Sequence, residues 1–253
     1  MAYKGNIVLD MDSHFREYED LDRTYGERIE PTYKDAFANL SAAVGRHRDS
    51  GLSTMLFMHP YAVVEPSVES RPLGVDSHFG HAPGRPAVRT KAESRTSSDR
   101  EPVSRDVHWD PSIRLRDMDR AAIDASLIFP SHAPSLCTLR DVGFESALHR
   151  AYHHYMSEYC AGSDGRLRWA MIATMRDVET TVKEMTAWAE RDPNMVGVLL
   201  SPSCPDGKLL DSPNLHPIYQ RAQDLDLPVL VHGGVLRPPY TAGAHDLDDA
   251  GFL

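Results

Sequence analysis

Short apolar runs alternate with amphipathic segments through the second half of the chain. The apolar runs begin near residues 124, 167, 195 and 228, and their length of about five residues predicts buried strands. Segments with apolar residues at helical spacing lie before and between these runs. Such alternation is typical of βα units, which build a parallel sheet with helices on both faces. The predicted helices are 113–123, 144–161, 178–190 and 215–225.

A further strand is predicted near the N-terminus, at residues 6–10. Five strands suit a doubly wound sheet, whereas a (β/α)₈ barrel needs eight, so the strand pattern alone leaves both folds open. The segment of about residues 65–110 is rich in proline, arginine and serine, which predicts an irregular surface insertion. We therefore interpret residues 1–253 as a single domain that carries this insertion.

Potential metal ligands lie at the ends of the first and last predicted strands. Asp12 and His14 are two residues apart, so in an extended segment their side chains point to the same side. His232 follows an apolar run and precedes two glycines, which leave open space beside it. A histidine at a strand end is often only a hydrogen-bonded structural residue, but the carboxyl ends of barrel strands carry active sites. One carboxylate and two imidazoles suit a catalytic divalent ion, for which we expect zinc, with manganese as the alternative.

The composition narrows the classes of partner. The formal net charge of −10 argues against binding to nucleic acid or to an anionic membrane, because both require a basic face. No apolar run approaches the ~20 residues that cross a bilayer, and the N-terminal residues lack the apolar segment of a secretory signal. The three cysteines show no paired spacing, which favours the reducing cytoplasm. We expect a small-molecule substrate and neither a nucleic-acid nor a membrane partner.

The order of several motifs resembles the amidohydrolase-related family, the branch of the amidohydrolase superfamily that includes aminocarboxymuconate-semialdehyde decarboxylase and the resorcylate-type decarboxylases. Its opening D-x-D-x-H-x-x-E pattern is similar to DMDSHFRE, and its P-x-x-R-L-x-D-M-D pattern is similar to PSIRLRDMD. The later units are similar to RAYHHYMSEYC, GRLRWAMIATMRD, VGVLLSPS and LHPIYQRAQDLDLPVLVHGG. The resemblance runs from Ile7 to Gly234 outside residues 40–110.

This resemblance implies a metal-dependent-hydrolase type (β/α)₈ TIM barrel, of which the chain supplies strands 1–5 as a partial domain. It implies that Asp12, His14 and His232 are metal ligands and that Asp12 and His232 serve catalysis in that role. Glu17 matches the family glutamate and is expected to orient a ligand or bind substrate. His132 follows the strand near 124 and is a second candidate for binding substrate.

The resemblance also implies the class of reaction. The leading expectation is hydrolysis of a small carboxylated or aromatic compound by a metal-activated water. The alternative is non-oxidative, metal-dependent decarboxylation, and a second alternative is a non-catalytic partner of a complete paralogue. The family's second histidine and its metal-binding aspartate have no counterpart up to Leu253. We therefore expect a second subunit of roughly 100–130 residues that supplies strands 6–8, and activity only in that hetero-oligomer.

Overall fold

One parallel sheet organises the part of the chain that the computed structural model describes, which comprises residues 5–17, 20–49, 105–131, 139, 141–201 and 210–232. Its order is β1-β2-β3-β4-β5, and every strand pairs in parallel with the next one along the chain. A doubly wound sheet reverses direction within its strand order, so this sequential order indicates part of a barrel. The strands are β1 (Leu9–Phe15), β2 (Ala125–Pro130), β3 (Leu167–Ile172), β4 (Met195–Leu200) and β5 (Val229–Val231).

Helices connect these strands within the described residues. Aspartate side chains begin three of them, because Asp110, Asp141 and Asp177 each accept a hydrogen bond from a backbone N–H of the first turn. A short 3₁₀ turn at Arg105–His108 precedes the second helix. The helices are α1 (Lys34–Asp49), α2 (Pro111–Ala121), α3 (Val142–Cys160), α4 (Val178–Arg191) and α5 (His216–Asp224).

The predicted strands and helices of the second half are confirmed, with ends displaced by a few residues. The first strand is wrong in position, since β1 begins at Leu9 and continues to Phe15 rather than ending at Asp10. Its backbone pairs with β2 from Leu9↔Ala125 to Phe15↔Pro130, and this ladder does not depend on whether the side chains are polar. The two candidate ligands Asp12 and His14 therefore lie inside a strand and not after it.

The core lies between the sheet and its helices, and α3 is the helix most deeply buried. Trp169 of β3 is fully buried, and its indole N–H donates a hydrogen bond of 2.9 Å to Asp192. Arg176, which follows β3, forms a buried ion pair with Glu145 of α3, with Nε 2.8 Å from the carboxylate. The first contact ties β3 to the end of α4, and the second ties the carboxyl-end loop of β3 to α3.

The two edges of the sheet carry exposed apolar side chains. Ile7, Leu9 and Met11 at and beside β1 and Val231 of β5 are each more than half exposed among the described residues. Most of the predicted insertion at 65–110 lies outside the described residues; its end includes His108 and Trp109, whose rings contact Phe15. Of the helices that the structure describes, none combines the length and the apolar character needed to span a membrane.

Candidate metal centre

The carboxyl ends of β1 and β5 approach each other although these strands form opposite edges of the sheet. The sheet therefore curls into a half-barrel. Asp12 and His14 are alternate residues of β1, and His232 directly follows β5. One ligand atom from each of these side chains lies within 4.8 Å of the other two. The structure thus brings together all three residues that the sequence marks as metal ligands.

The Asp12 carboxylate lies between the two imidazoles. Its Oδ1 atom is 3.0 Å from Nε2 of His232 and 3.4 Å from Nε2 of His14. Donor atoms that bind one ion at ~2.0–2.2 Å lie about 3–3.5 Å from each other, so these two spacings fit a shared ion. The side chains of Asp12, His14 and His232 are 69%, 37% and 32% exposed, which leaves a solvent-facing side for substrate. The donor set can hold a divalent metal ion.

An aromatic side chain forms one wall beside these residues. The ring of Phe129, near the end of β2, lies 5.2 Å from the ring of His232 and 6.4 Å from that of His14. The two imidazoles are 4.9 Å apart and meet edge to face. Phe129 is buried, so its ring packs against the two imidazoles and supports them in a fixed position.

The surroundings of His14 favour the neutral form of its imidazole. Burial lowers its pKa from the ordinary value of 6.5, and the nearby charge of His232 lowers it further. Asp12 and a hydrogen bond with the backbone of Pro130 act in the opposite direction, but the net change in pKa is downward. Neutral imidazole is the form that binds metal ions, so the surroundings of His14 favour its role as a ligand.

A buried arginine holds the end of β1 in place, and the sequence analysis did not single it out. Arg114 of α2 is only 7% exposed. Its guanidinium donates hydrogen bonds of 2.6 Å to Ser13 Oγ, 2.9 Å to the His14 carbonyl oxygen and 3.1 Å to the Tyr159 hydroxyl. These bonds fix the backbone from which His14 projects. The available signal was Arg114 in the PSIRLRDMD motif, but a motif does not identify contacts about 100 residues away.

Of the two residues predicted to bind substrate, the structure describes only Glu17. Glu17 is 1% exposed, and its Oε2 atom accepts a hydrogen bond of 2.9 Å from the backbone N–H of Ser131. That contact joins the chain after β1 to the end of β2. His132 lies outside the described residues, so its role stays a prediction.

Two solved structures with a similar fold contain manganese, and this chain spans slightly more than half the length of each. One is a 5-carboxyvanillate decarboxylase from Novosphingobium aromaticivorans with bound manganese and 3-methoxy-4-hydroxy-5-nitrobenzoic acid. It has a TM-score of 0.53 and 13% identity, over 98% of this chain and 56% of that one. Another is a dihydroxybenzoic acid decarboxylase from Polaromonas with manganese and 2-nitroresorcinol. Its TM-score is 0.51 at 16% identity, over 98% of this chain and 55% of that one.

At these identities the likeness concerns the fold, which in both cases covers slightly more than half of the solved chain. Among curated proteins, none matches the sequence. A family model described as amidohydrolase matches residues 58–251, which is most of the chain. Asp12 and His14 precede this range, so their place in the site rests on the geometry. The chain belongs to the amidohydrolase family.

Proposed function

We propose that this chain belongs to a divalent-metal-dependent, non-oxidative decarboxylase that acts on a small hydroxylated aromatic carboxylate. The observation that carries the proposal is the convergence of Asp12, His14 and His232 at the carboxyl ends of β1 and β5. The two solved structures above are decarboxylases with bound manganese and aromatic ligands. This similarity supports decarboxylation over the hydrolysis expected from the sequence.

The side chains of the site have distinct tasks in this reaction. Asp12, His14 and His232 would hold the ion, and the bound ion would supply positive charge to oxygen atoms of the substrate. Phe129 would support the imidazoles of His14 and His232 by packing against them. The bond between the ring carbon and the carboxyl carbon breaks, carbon dioxide leaves, and the ring carbon takes up one proton. We assign the donor of that proton to residues outside those described.

Manganese is the ion that we propose, in place of the zinc expected first. One carboxylate with two imidazoles is compatible with either ion, so the donor set alone does not decide. Both solved decarboxylases contain manganese, which supports manganese here.

Hydrolysis remains the second candidate function, because the matched family is named for it. The same three ligands would then bind an ion that activates water. A non-catalytic partner subunit is the least supported alternative, since a scaffold has no need to bring one carboxylate and two imidazoles within 4.8 Å.

The proposed enzyme also requires cover for the apolar edges of its sheet. Within the described part of the chain, the outer edges of β1 and β5 are unpaired, and these edges with exposed Leu9, Met11 and Val231 favour association with further strands. The expected subunit of roughly 100–130 residues with strands 6–8 is one source of these strands. Continuation of the same polypeptide is the other source, and both would complete the barrel in the same way.

A decarboxylation assay tests the proposed function. The chain is loaded with Mn²⁺ and incubated with a panel of hydroxybenzoates, first alone and then together with a polypeptide that carries the remaining strands. We expect release of carbon dioxide in at least one arm, loss of that activity in His232→Ala, and its retention in His216→Ala, which changes an exposed histidine of α5. Ester or amide hydrolysis without carbon dioxide release would show that the hydrolase alternative is right.

A further inference from the structure

The ring of His14 makes contacts on the side opposite the other two ligands. Its Nε2 atom faces Asp12, whereas its Nδ1 atom lies 3.4 Å from the hydroxyl oxygen of Ser131 at the end of β2. A neutral imidazole carries its proton on one ring nitrogen and a lone pair on the other. When the lone pair of Nε2 faces the metal site, the proton is on Nδ1 and can be donated to the Ser131 hydroxyl oxygen.

Glu17 fixes the segment that makes these contacts. Its Oε2 atom accepts a hydrogen bond of 2.9 Å from the Ser131 N–H, which also donates to the carbonyl oxygen of Phe15 at 3.0 Å. The amide of Ser131 is therefore held by two acceptors from the end of β1. Burying a carboxylate that is only 1% exposed costs free energy unless its hydrogen bonds are satisfied. The hydrogen bond with Ser131 is therefore part of the interior structure and not a contact of a surface charge.

The surroundings of Glu17 confirm that it lies in the interior and not at the mouth of the site. Burial, followed by the negative charge of Glu17, raises the pKa values of Tyr25 and Tyr152 well above 10. Both tyrosines belong to the buried core. Glu17 is thus placed to act on His14 through Ser131.

We propose that Glu17 and Ser131 are positioning residues for His14, which hold its ring with the proton on Nδ1 and the lone pair of Nε2 directed at the metal site. This inference rests on the proposed function and deepens it, because it names what sets the tautomer of one ligand. A histidine that binds a metal commonly donates its other ring N–H to an oxygen atom, which orients the ring. Ser131 supplies such an oxygen, and Glu17 holds the backbone of Ser131 in place.

Two measurements on the full chain test this inference. The first is NMR of the His14 imidazole with diamagnetic Zn²⁺ bound, which identifies the coordinating nitrogen and the rate at which the other ring N–H exchanges with water. We expect coordination through Nε2 and a slowly exchanging Nδ1–H in the natural protein, and faster exchange of that proton in Ser131→Ala. The second is the affinity for Mn²⁺, measured by calorimetry. Loss of such an orienting partner typically weakens metal affinity 10–100-fold, so we expect about tenfold weaker binding in Ser131→Ala.

Conservative variants separate positioning from general loss of structure. Ser131→Thr keeps the hydroxyl and should restore Mn²⁺ affinity. Glu17→Ala removes the acceptor, whereas Glu17→Gln keeps an oxygen and should fall between it and the natural protein. Glu179→Gln removes an exposed carboxylate of α4 and should bind Mn²⁺ normally.

Two outcomes would overturn the inference. One is coordination of Zn²⁺ through Nδ1 of His14 in the natural protein, and the other is unchanged Mn²⁺ affinity in Ser131→Ala. Glu17→Ala can fail to fold because Glu17 is buried, but the Ser131 variants decide the question without it. Absence of Mn²⁺ binding by the natural protein would instead remove the proposed function, while the spectrum with Zn²⁺ bound would still report on the positioning of His14.

Discussion

Replacing Arg114 by methionine should destabilise the fold and loosen the end of β1. The substitution keeps most of the length of the side chain and removes the guanidinium. Three hydrogen bonds are lost, to Ser13 Oγ, to the His14 carbonyl oxygen and to the Tyr159 hydroxyl. All three acceptors are far from Arg114 in sequence, so the bonds join α2 to β1 and α3.

The change in the free energy of unfolding for Arg114→Met is the balance of opposing contributions. A hydrogen bond to a charged group contributes about 1.5–3 kcal/mol, and these three bonds are not additive. Methionine also relieves the cost of burying a guanidinium, which is several kcal/mol per ion. The acceptors that remain lose a donor in a partly dry environment. We therefore expect a net loss of about 3 kcal/mol in the free energy of unfolding.

Urea unfolding followed by circular dichroism measures this loss. At an m-value of about 3 kcal/mol/M, a loss of about 3 kcal/mol lowers the midpoint by about 1 M. Arg116→Met on the exposed side of the same helix is the matched control, and its effect should stay within about 0.5 kcal/mol. Equal midpoints for Arg114→Met and Arg116→Met would refute the reasoning, because the buried contacts would then contribute nothing beyond an exposed arginine.

Three further changes test other parts of the fold. Ala122 ends α2 in the left-handed conformation at φ 57°, which is strained for a residue with a Cβ atom. Ala122→Gly should therefore raise the free energy of unfolding by about 1 kcal/mol in the same urea assay, and a decrease would show that Ala122 is not strained. Glu145→Ala leaves Arg176 buried without its carboxylate and should cost about 3–5 kcal/mol, seen as a lower thermal midpoint; an unchanged midpoint would show that the pair is dispensable. Burial, and then the charge of Arg191, lowers the pKa of His154 from 6.5, so the unfolded chain takes up this proton first as pH falls. Stability should therefore drop below about pH 6.5 and level off below the folded pKa, and this drop should be smaller in His154→Gln by pH-dependent urea titration.

The second half of the fold was predictable because its apolar periodicity is strong. Runs such as 169–173 and 195–200 are continuous and apolar, as expected for parallel strands buried on both faces. The position of β1 was not predictable in the same way. The segment DMDSH has polar residues at alternate positions, on the side of the strand that carries the site, and therefore lacks a continuous apolar run. Helix α1 was missed because residues 15–40 show no clean apolar period.

The three ligands of the candidate metal centre were identifiable from residue type and from their place beside the ends of the predicted strands. The groups that support them were not, because contacts such as Arg114 with His14 and Glu17 with Ser131 join residues about 100 positions apart. Side-chain type and local spacing carry no information on such pairs. Their identification requires the register of β1 on β2 and the packing of α2.

Titration of the full chain with Mn²⁺, followed by electron paramagnetic resonance of the free ion, tests the central claim most directly. The account predicts one bound ion per chain in the natural protein and in His216→Ala, and none bound with comparable affinity in His232→Ala or Asp12→Ala. Equal binding by the natural protein and by both ligand variants would contradict it, as would the absence of bound Mn²⁺ in the natural, folded protein.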